Sequence, residues 1–508
     1  MKKFFYLFLL LSANCVAQTP VNPFPHHTVY AAGTIRPSNF TQANLDLQVK
    51  HFYDAWKAKY LLAGCNAPEY YVWYNDDGSE GNAITVSEAI GYGMVIEALM
   101  AGYETNAKRY FDGLFYWYVR HPSSVNGSLM DWQQQKDSCK SIGNDAATDG
   151  DLDAAFALLL ADKQWGSNGS IDYLKAAKKI IAAIKTSEVY NNSKALQLGD
   201  WAHTSNKYKD GTRPSDFMYD HLRAFGNVMH DSSWYSVLDE CYSLVQNMQT
   251  NYSSTTGLIP DFIQKTDSVP VPAAAKYLES KWDGNYYYNS CRVPWHLGCD
   301  YVLNGDVRAK NACIKINNWI KKVTGGNSHN IRSGYLLNGN NITGNNYEDQ
   351  SFIAPFGVSA MESIKYQSWL NNIWSNIISV DDLSRDSYYG NTIKMICMIV
   401  MSGNMWAPYS VGFAKQKTGT TQNTNASISP NPAKGNIILQ YQSPKTESVK
   451  ITIQNTGGNI VYTASQKVIA GQNKINIQLP PNSKGIYMLS INPQSTGTQT
   501  KLSFIAAE

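Results

Sequence analysis

From about residue 38 to residue 408 the apolar side chains recur with the period of an α-helix, segment after segment, and this leaves room for little else in the fold. "DLDAAFALLLADKQW", "DYLKAAKKIIAAIK", "SWYSVLDECYSLVQNM", "ACIKINNWIKKV" and "DSYYGNTIKMICMIVM" either space their apolar residues three and four apart or are apolar throughout, as amphipathic and buried helices do. The links between them, such as "HPSSVNGS" and "SGYLLNGNNITGNN", are rich in Gly, Asn and Pro. A large, almost wholly helical body follows, expected over residues 25–410, and a bundle, a solenoid or a closed helical toroid each satisfies the pattern. The pattern breaks at "AKQKTGTTQNTNA", which is polar and aperiodic and marks a connector over residues 411–426. Beyond it "GNIILQYQ", "SVKITIQN", "NIVYTASQ", "KINIQL" and "GIYMLSIN" are short β-rich runs, and residues 427–508 are expected to form a small antiparallel sandwich.

Only 16% of the residues are charged, against a globular norm of about 25%, while aromatics reach 12% with 33 Tyr and 13 Trp. Such a surface suits partners met by ring stacking and hydroxyl contacts, sugars among them. The net charge of +3 is small and no stretch concentrates Lys and Arg, which argues against nucleic acid. Residues 1–17, "MKKFFYLFLLLSANCVA", have the basic start, apolar run and small-residue end of a signal peptide, so a secreted or cell-surface protein is expected. No later segment is apolar for long enough to span a bilayer, and no membrane insertion is expected. Seven cysteines follow the signal peptide; with no Cys-x-x-Cys spacing, buried thiols are the expected fate of most, and no zinc site is implied.

One carboxylate stands apart. Glu88, in "AITVSEAIGYGM", has no Lys or Arg within ten positions on either side, and burial without a cation would raise its pKa. Aspartates cluster at Asp145, Asp149, Asp151 and Asp153, before and within an apolar helix whose first N–H groups would keep such a carboxylate ionised. The alternating spacing of Asp149, Asp151 and Asp153 resembles a calcium loop, but the twelfth position from Asp149 is Leu160, so no metal and no cofactor are expected. Between residues 277 and 310 Glu279, Trp282, Asp283, Tyr288, Asn289 and Arg292 crowd together, joining stacking faces to carboxylates and a guanidinium as a pyranose cleft requires. A further segment carries Trp201, Asp216, Tyr219 and His221, the histidine being expected to serve structure. A protonated and an ionised carboxyl are the minimum for hydrolysing a glycosidic bond; spacing alone supplies the acid and leaves the base open.

The strings "TVSEAIGYGM", "NDAATDGDLDAAFALLLADKQWG" and "YYYNSCRVPWHLGCDYVLNGDVRAK" resemble glycoside hydrolase family 8 over roughly residues 25–408. The resemblance implies an (α/α)6 barrel, an inverting mechanism, Glu88 as general acid and Asp149 beneath the central sugar. Many members place the base at the position of Asn289, but an amide cannot take a proton. In another branch the base comes from a Glu in a preceding loop, which implies Glu279, with Asp283 in reserve. Tyr92, Trp132, Trp201, Asp216, Trp282, Tyr288, Asn289 and Arg292 are the expected sugar-binding residues. That branch resembles endoglucanases, chitosanases and lichenases, and an endo-acting β-1,4-glucanase is expected first, with chitosan and mixed-linkage glucan as alternatives. The tail strings "SISPNPAKGNIILQY", "VKITIQNTGGNIVY" and "GIYMLSI" resemble the sorting domain of the Bacteroidetes type IX secretion route, whose machinery is the implied partner of an otherwise monomeric protein.

Overall fold

The computed structural model of the chain describes residues 19–379, 383–409, 426–430, 433–455, 460–481, 483, 485–493 and 500–506. The expected signal peptide lies outside them, and of the expected connector only Ala426 lies inside, at the start of a strand. The chain divides into two compact units, Met1–Lys415 and Gln416–Glu508.

The first unit is an (α/α)6 barrel of twelve α-helices among the described residues. Its inner ring consists of α2 (Ser87–Met100), α4 (Thr148–Trp165), α6 (Tyr219–Met229), α8 (Val293–Asn304), α10 (Gln350–Ala360) and α12 (Tyr388–Met401). Each packs on the next, and α12 returns to α2 to close the ring. The outer helices are α1 (Gln42–Tyr60), α3 (Ala107–Arg120), α5 (Tyr173–Ser187), α7 (Ser233–Asn251), α9 (Val307–Val323) and α11 (Gln367–Ile378), each laid against an inner one. Sequence explains the division. In α5 the buried side chains Tyr173, Ala177, Ile180, Ile181 and Ile184 form one stripe while Lys175, Lys178 and Lys179 face water, whereas every residue of α10 is buried.

The helical segments read from periodicity coincide with α4, α5, α7, α9 and α12, with ends moved by a few residues. Apolar helices with buried faces all round belong inside a second layer of helices, which excludes the bundle and solenoid alternatives.

Two glycines set the crossing of α2 and α4. A Cβ at Gly91 would lie 2.7 Å from the Asp153 Cβ and 3.0 Å from the Gly150 carbonyl oxygen, and one at Gly150 would lie 2.4 Å from the Ser87 backbone. Their first turns therefore touch, and Glu88 and Asp149 become neighbours. Ala89 fits without exposure. A disulfide joins Cys65, just past α1, to Cys139, in the loop that follows the short strand pair Ala83–Val86 and Gln133–Gln135. Cys241, Cys291, Cys299, Cys313 and Cys397 are free and buried, as the cysteine pattern implied for most of them.

In the second unit a four-stranded sheet runs in the order Ile460–Val468, Glu447–Asn455, Gly485–Pro493, Thr500–Ala506, and a three-stranded sheet in the order Gly471–Gln478, Asn436–Ser443, Ala426–Ser429. All neighbouring strands are antiparallel. Ile437, Leu439, Val449, Ile451, Ile453, Leu489 and Ile491, drawn from both sheets, form one buried core. Short β-rich runs marked five of these strands; Ala426–Ser429, only four residues long, and Thr500–Ala506 were not among them.

Gly91→Ala should destabilise the barrel by about 1–3 kcal/mol through overpacking and lower catalytic turnover by parting α2 from α4. Chemical denaturation and kcat on the same preparation check this, with Gly169→Ala, where an added Cβ meets nothing, as the neutral control.

Candidate active site

The inner helices direct their N-terminal ends into one cavity of about 680 Å³. Glu88 stands in the first turn of α2, Asp149 in the first turn of α4, Arg292 just ahead of α8, Asp349 at the N-cap of α10, and Tyr388 and Tyr389 in the first turn of α12. Arg213 reaches the cavity from the short helical turn before α6. The N-terminal ends of α2, α4, α8, α10 and α12 give the cavity a positive cast, which suits ionised carboxylates.

Arg292, 1% exposed, is the hub. Its Nη1 donates to Glu88 Oε2 at 3.1 Å, to the Tyr92 hydroxyl at 3.1 Å and to Asp149 Oδ2 at 2.9 Å. Its Nη2 donates to Ser215 Oγ at 2.9 Å and to Asn289 Oδ1 at 3.2 Å. The other end of the Asn289 amide donates to Glu279 Oε2 at 2.7 Å. Glu88 and Glu279 thus lie on either side of an Arg292–Asn289 bridge, both facing the cavity.

In α2 every residue but Glu88 is buried. Loss of hydration pushes the Glu88 carboxyl up to about 7; the Arg292 guanidinium opposes this and the Asp149 charge adds to it. The sequence-based expectation of burial without a cation is corrected here: Arg292 arrives from over 200 positions away, and desolvation still prevails. Asp149 shows the opposite balance. Burial alone would raise it, but the Arg213 and Arg292 guanidiniums and the Gly150 N–H hold it below the usual carboxylate range. At Glu279 burial raises the carboxyl, with Arg213 and the Asn289 amide acting against it. That side chain opens to solvent, which damps the effect.

Trp132 and Tyr288 border the cavity along with Glu88, Asp149, Glu279, Asn289 and Arg292. Trp132 lies so close over Gly143 that a Cβ there would come within 2.3 Å of its ring. The Tyr288 hydroxyl donates to Asp349 Oδ2 at 2.9 Å.

Other expectations need correction. Tyr92 is fully buried beneath the cavity and touches Arg292, not open space. Asp216 is fully buried and accepts from Arg213 Nε at 2.9 and 3.1 Å. Asp283 has no exposed surface, and its oxygens accept the backbone N–H groups of Leu278, Glu279 and Ser280, so the reserve base instead shapes the loop that presents Glu279. Trp201 packs edge-on against Tyr208 in a separate cluster with Tyr277, and Trp282 carries the Lys281 ammonium 4.8 Å over its ring; neither borders the cavity. His221 is held by Asp153 and Asp220 at 3.0 Å each and stacks on Phe156.

Sequence reasoning missed Arg213, Asp349, Tyr388, Tyr389, Tyr74 and Glu80 at the cavity. Arg213 lies within the segment of Trp201, Asp216 and His221 but was not singled out there, and Tyr388 and Tyr389 open a strongly apolar helix, where a polar tip has few uses other than an inward one. Among the described residues no group of three or more His, Cys, Asp or Glu is placed to hold a metal ion, and no helix is long and apolar enough to cross a membrane.

A carboxylate-walled, aromatic-rimmed cavity at the helix ends of an (α/α)6 barrel, with one acid disposed to keep its proton near neutral pH, defines an enzyme that hydrolyses glycosidic bonds. The chain belongs to glycosyl hydrolases family 8, which it matches over residues 49–403, and it is an inverting glycoside hydrolase. Residues 427–505 match the secretion system C-terminal sorting domain, which directs export by the type IX route. The chain is 47% identical over 399 residues to a β-glucanase of Niallia circulans, covering 78% of this chain and 95% of the relative. It is 39% identical over 396 residues to an endoglucanase of Bacillus sp. strain KSM-330, covering 76% and 82%. Among solved structures, the apo form of a β-1,3-1,4-glucanase from Paenibacillus sp. X4 superposes with a TM-score of 0.72 at 48% identity, covering 77% of this chain and 100% of that one.

Asp149→Asn should lower the Glu88 pKa, because it deletes a neighbouring negative charge and leaves Arg292 and Arg213 less compensated. A carboxyl titration of Glu88 by infrared difference spectroscopy, with Glu88→Gln as the blank, should show the midpoint moving from about 7 to lower pH.

Proposed function

We propose that the protein is an endo-acting β-glucanase that cleaves mixed-linkage β-1,3-1,4-glucan, with Glu88 as general acid, Glu279 as general base and Asp149 as the fixed negative charge beneath the reacting sugar. The observation that carries the mechanism is the pair Glu88 and Glu279, both facing the cavity and held apart by Arg292 and Asn289. An inverting enzyme needs its two carboxyls separated by enough room for sugar and water, one to protonate the leaving oxygen and the other to take a proton from the water. Glu88, drawn up to about 7, keeps the proton. Glu279, exposed at the wall and hydrogen-bonded to an amide N–H, is disposed to accept one. Asp149, held ionised by two guanidiniums, supports the positive charge that develops on the sugar ring.

The relatives at 47% and 48% identity, a β-glucanase and a β-1,3-1,4-glucanase, support mixed-linkage glucan ahead of the β-1,4-glucan read first from the sequence. One observation favours chitosan as a second reading: Asp77, Glu80, Glu88, Asp149, Glu279 and Asp349 line the cavity against only Arg213 and Arg292, an excess of acid that would attract a cationic polymer. Asp145, Asp151, Asp216 and Asp283, the carboxylates that sequence put forward for that purpose, do not border it. The protein is proposed to act as a monomer outside the cell.

Reducing-end release from barley-type β-glucan should exceed that from carboxymethyl cellulose, chitosan and xylan. Greater activity on chitosan reverses the order of the two readings, and none on any of the four removes the depolymerase. Glu88→Gln and Glu279→Gln should each lower kcat by about 10²–10⁴-fold with the fold retained. Because the acid must be protonated, kcat/KM should fall as pH rises through about 7.

A further inference from the structure

The two oxygens of Glu88 have different neighbours. Oε2 lies 3.1 Å from Arg292 Nη1, and Oε1 lies 3.1 Å from the Tyr388 hydroxyl. A guanidinium offers only donors, so the oxygen facing it is held as an acceptor. The proton of the neutral acid is favoured on Oε1, where the neighbour is a hydroxyl able both to donate and to accept.

Resting on the assignment of Glu88 as general acid, we propose that Tyr388 is a positioning residue whose hydroxyl accepts a hydrogen bond from the Glu88 O–H in the resting enzyme and donates one to the Glu88 carboxylate once that proton has gone to the substrate. In the step, the Oε1–H turns from Tyr388 to the glycosidic oxygen, and the Oε1–H bond breaks as the proton joins that oxygen. The bond from C1 to that oxygen cleaves with its electron pair passing to the oxygen, and the water attacking C1 yields its proton to Glu279. Negative charge then appears on Oε1, and the Tyr388 O–H turns back to meet it.

The ring is built to do this and little else. Tyr388 is 2% exposed, its backbone N–H is fixed by Asp76 Oδ1 at 2.8 Å, and its ring is met edge-on by Tyr60 at 6.0 Å and Tyr74 at 6.2 Å. Only rotation of the hydroxyl remains. Burial and the nearby Glu88 keep the phenol well above its ordinary pKa, so it holds its proton throughout. The groups that face Glu88 are Arg292 ahead of α8, Arg213 ahead of α6, Asp149 on α4, Tyr92 on its own helix, Tyr388 and Tyr389 on α12, and Tyr74. Of these, Arg292 and Tyr388 are the ones hydrogen-bonded to its carboxyl.

The test is Tyr388→Phe, assayed on the polysaccharide that the wild type cleaves best and on a dinitrophenyl oligoglucoside, whose leaving group needs little protonation. Loss of a hydrogen bond to a developing charge should lower kcat on polysaccharide about ten- to a hundredfold, with KM little changed and the loss on the activated substrate under about threefold. The alkaline limb of kcat/KM should move to higher pH, since the carboxylate has lost a donor. Equal losses on both substrates, or a limb that stays or moves to lower pH, overturn the proposal. Glu88→Gln with full activity on polysaccharide would defeat the acid assignment itself, whereas an inactive Glu88→Gln beside a wild-type-like Tyr388→Phe would defeat only the role of Tyr388. Should Tyr388→Phe not fold, a neutron structure of the wild type below pH 7 decides: a deuteron on Oε1 directed at Tyr388 supports the proposal, and one on Oε2 overturns it.

Discussion

Everything in the cavity is arranged around one buried cation. Arg292 touches Glu88, Tyr92, Asp149, Ser215 and Asn289 at once, which ties together α2, α4, the turn before α6 and the approach to α8. A guanidinium taken out of water is costly unless its donors are met, and here carboxylate, hydroxyl and amide acceptors meet both terminal nitrogens, while Nε has no partner. The arrangement separates two acids that would otherwise behave alike. Asp149 pairs with both Arg292 and Arg213 and stays ionised, while Glu88 receives a single contact from Arg292, too little to offset its loss of hydration.

Two neighbouring carboxyls thereby acquire opposite protonation preferences from geometry alone. The glycines at 91 and 150 bring them close, the barrel removes water from both, and the unequal distribution of guanidinium contacts does the rest. Asn289 extends the network to the opposite wall. Its amide faces Arg292 with oxygen and Glu279 with nitrogen, and a carboxylate in its place could not present a donor to Glu279.

Much of this was legible in the sequence. Helical period identified the barrel segments, β-alternation the tail, and the isolation of Glu88 among apolar neighbours its raised pKa, although the reason given was incomplete. What could not be read was convergence across the ring. Arg213 lies among residues that sequence put forward without it, and Tyr388 opens a helix read only as apolar; both reach the cavity because the fold brings distant segments to one place. Asp283 and Asp216 show the converse: carboxylates near the right motifs are consumed by backbone N–H groups and by an arginine, and only hydrogen-bond partners reveal it. Trp201 and Trp282 have the right chemistry for a sugar face but do not border the cavity.

The bond between Cys65 and Cys139 ties the end of α1 to the loop beyond the strand that follows Trp132. In a reducing cytoplasm that pair would stay as thiols, and one wall of the cleft would lack its covalent clamp. Disulfides form in oxidising surroundings, and the sorting domain directs the chain to them by export. Fastening of the loop beyond Trp132 is thereby tied to the export of the protein.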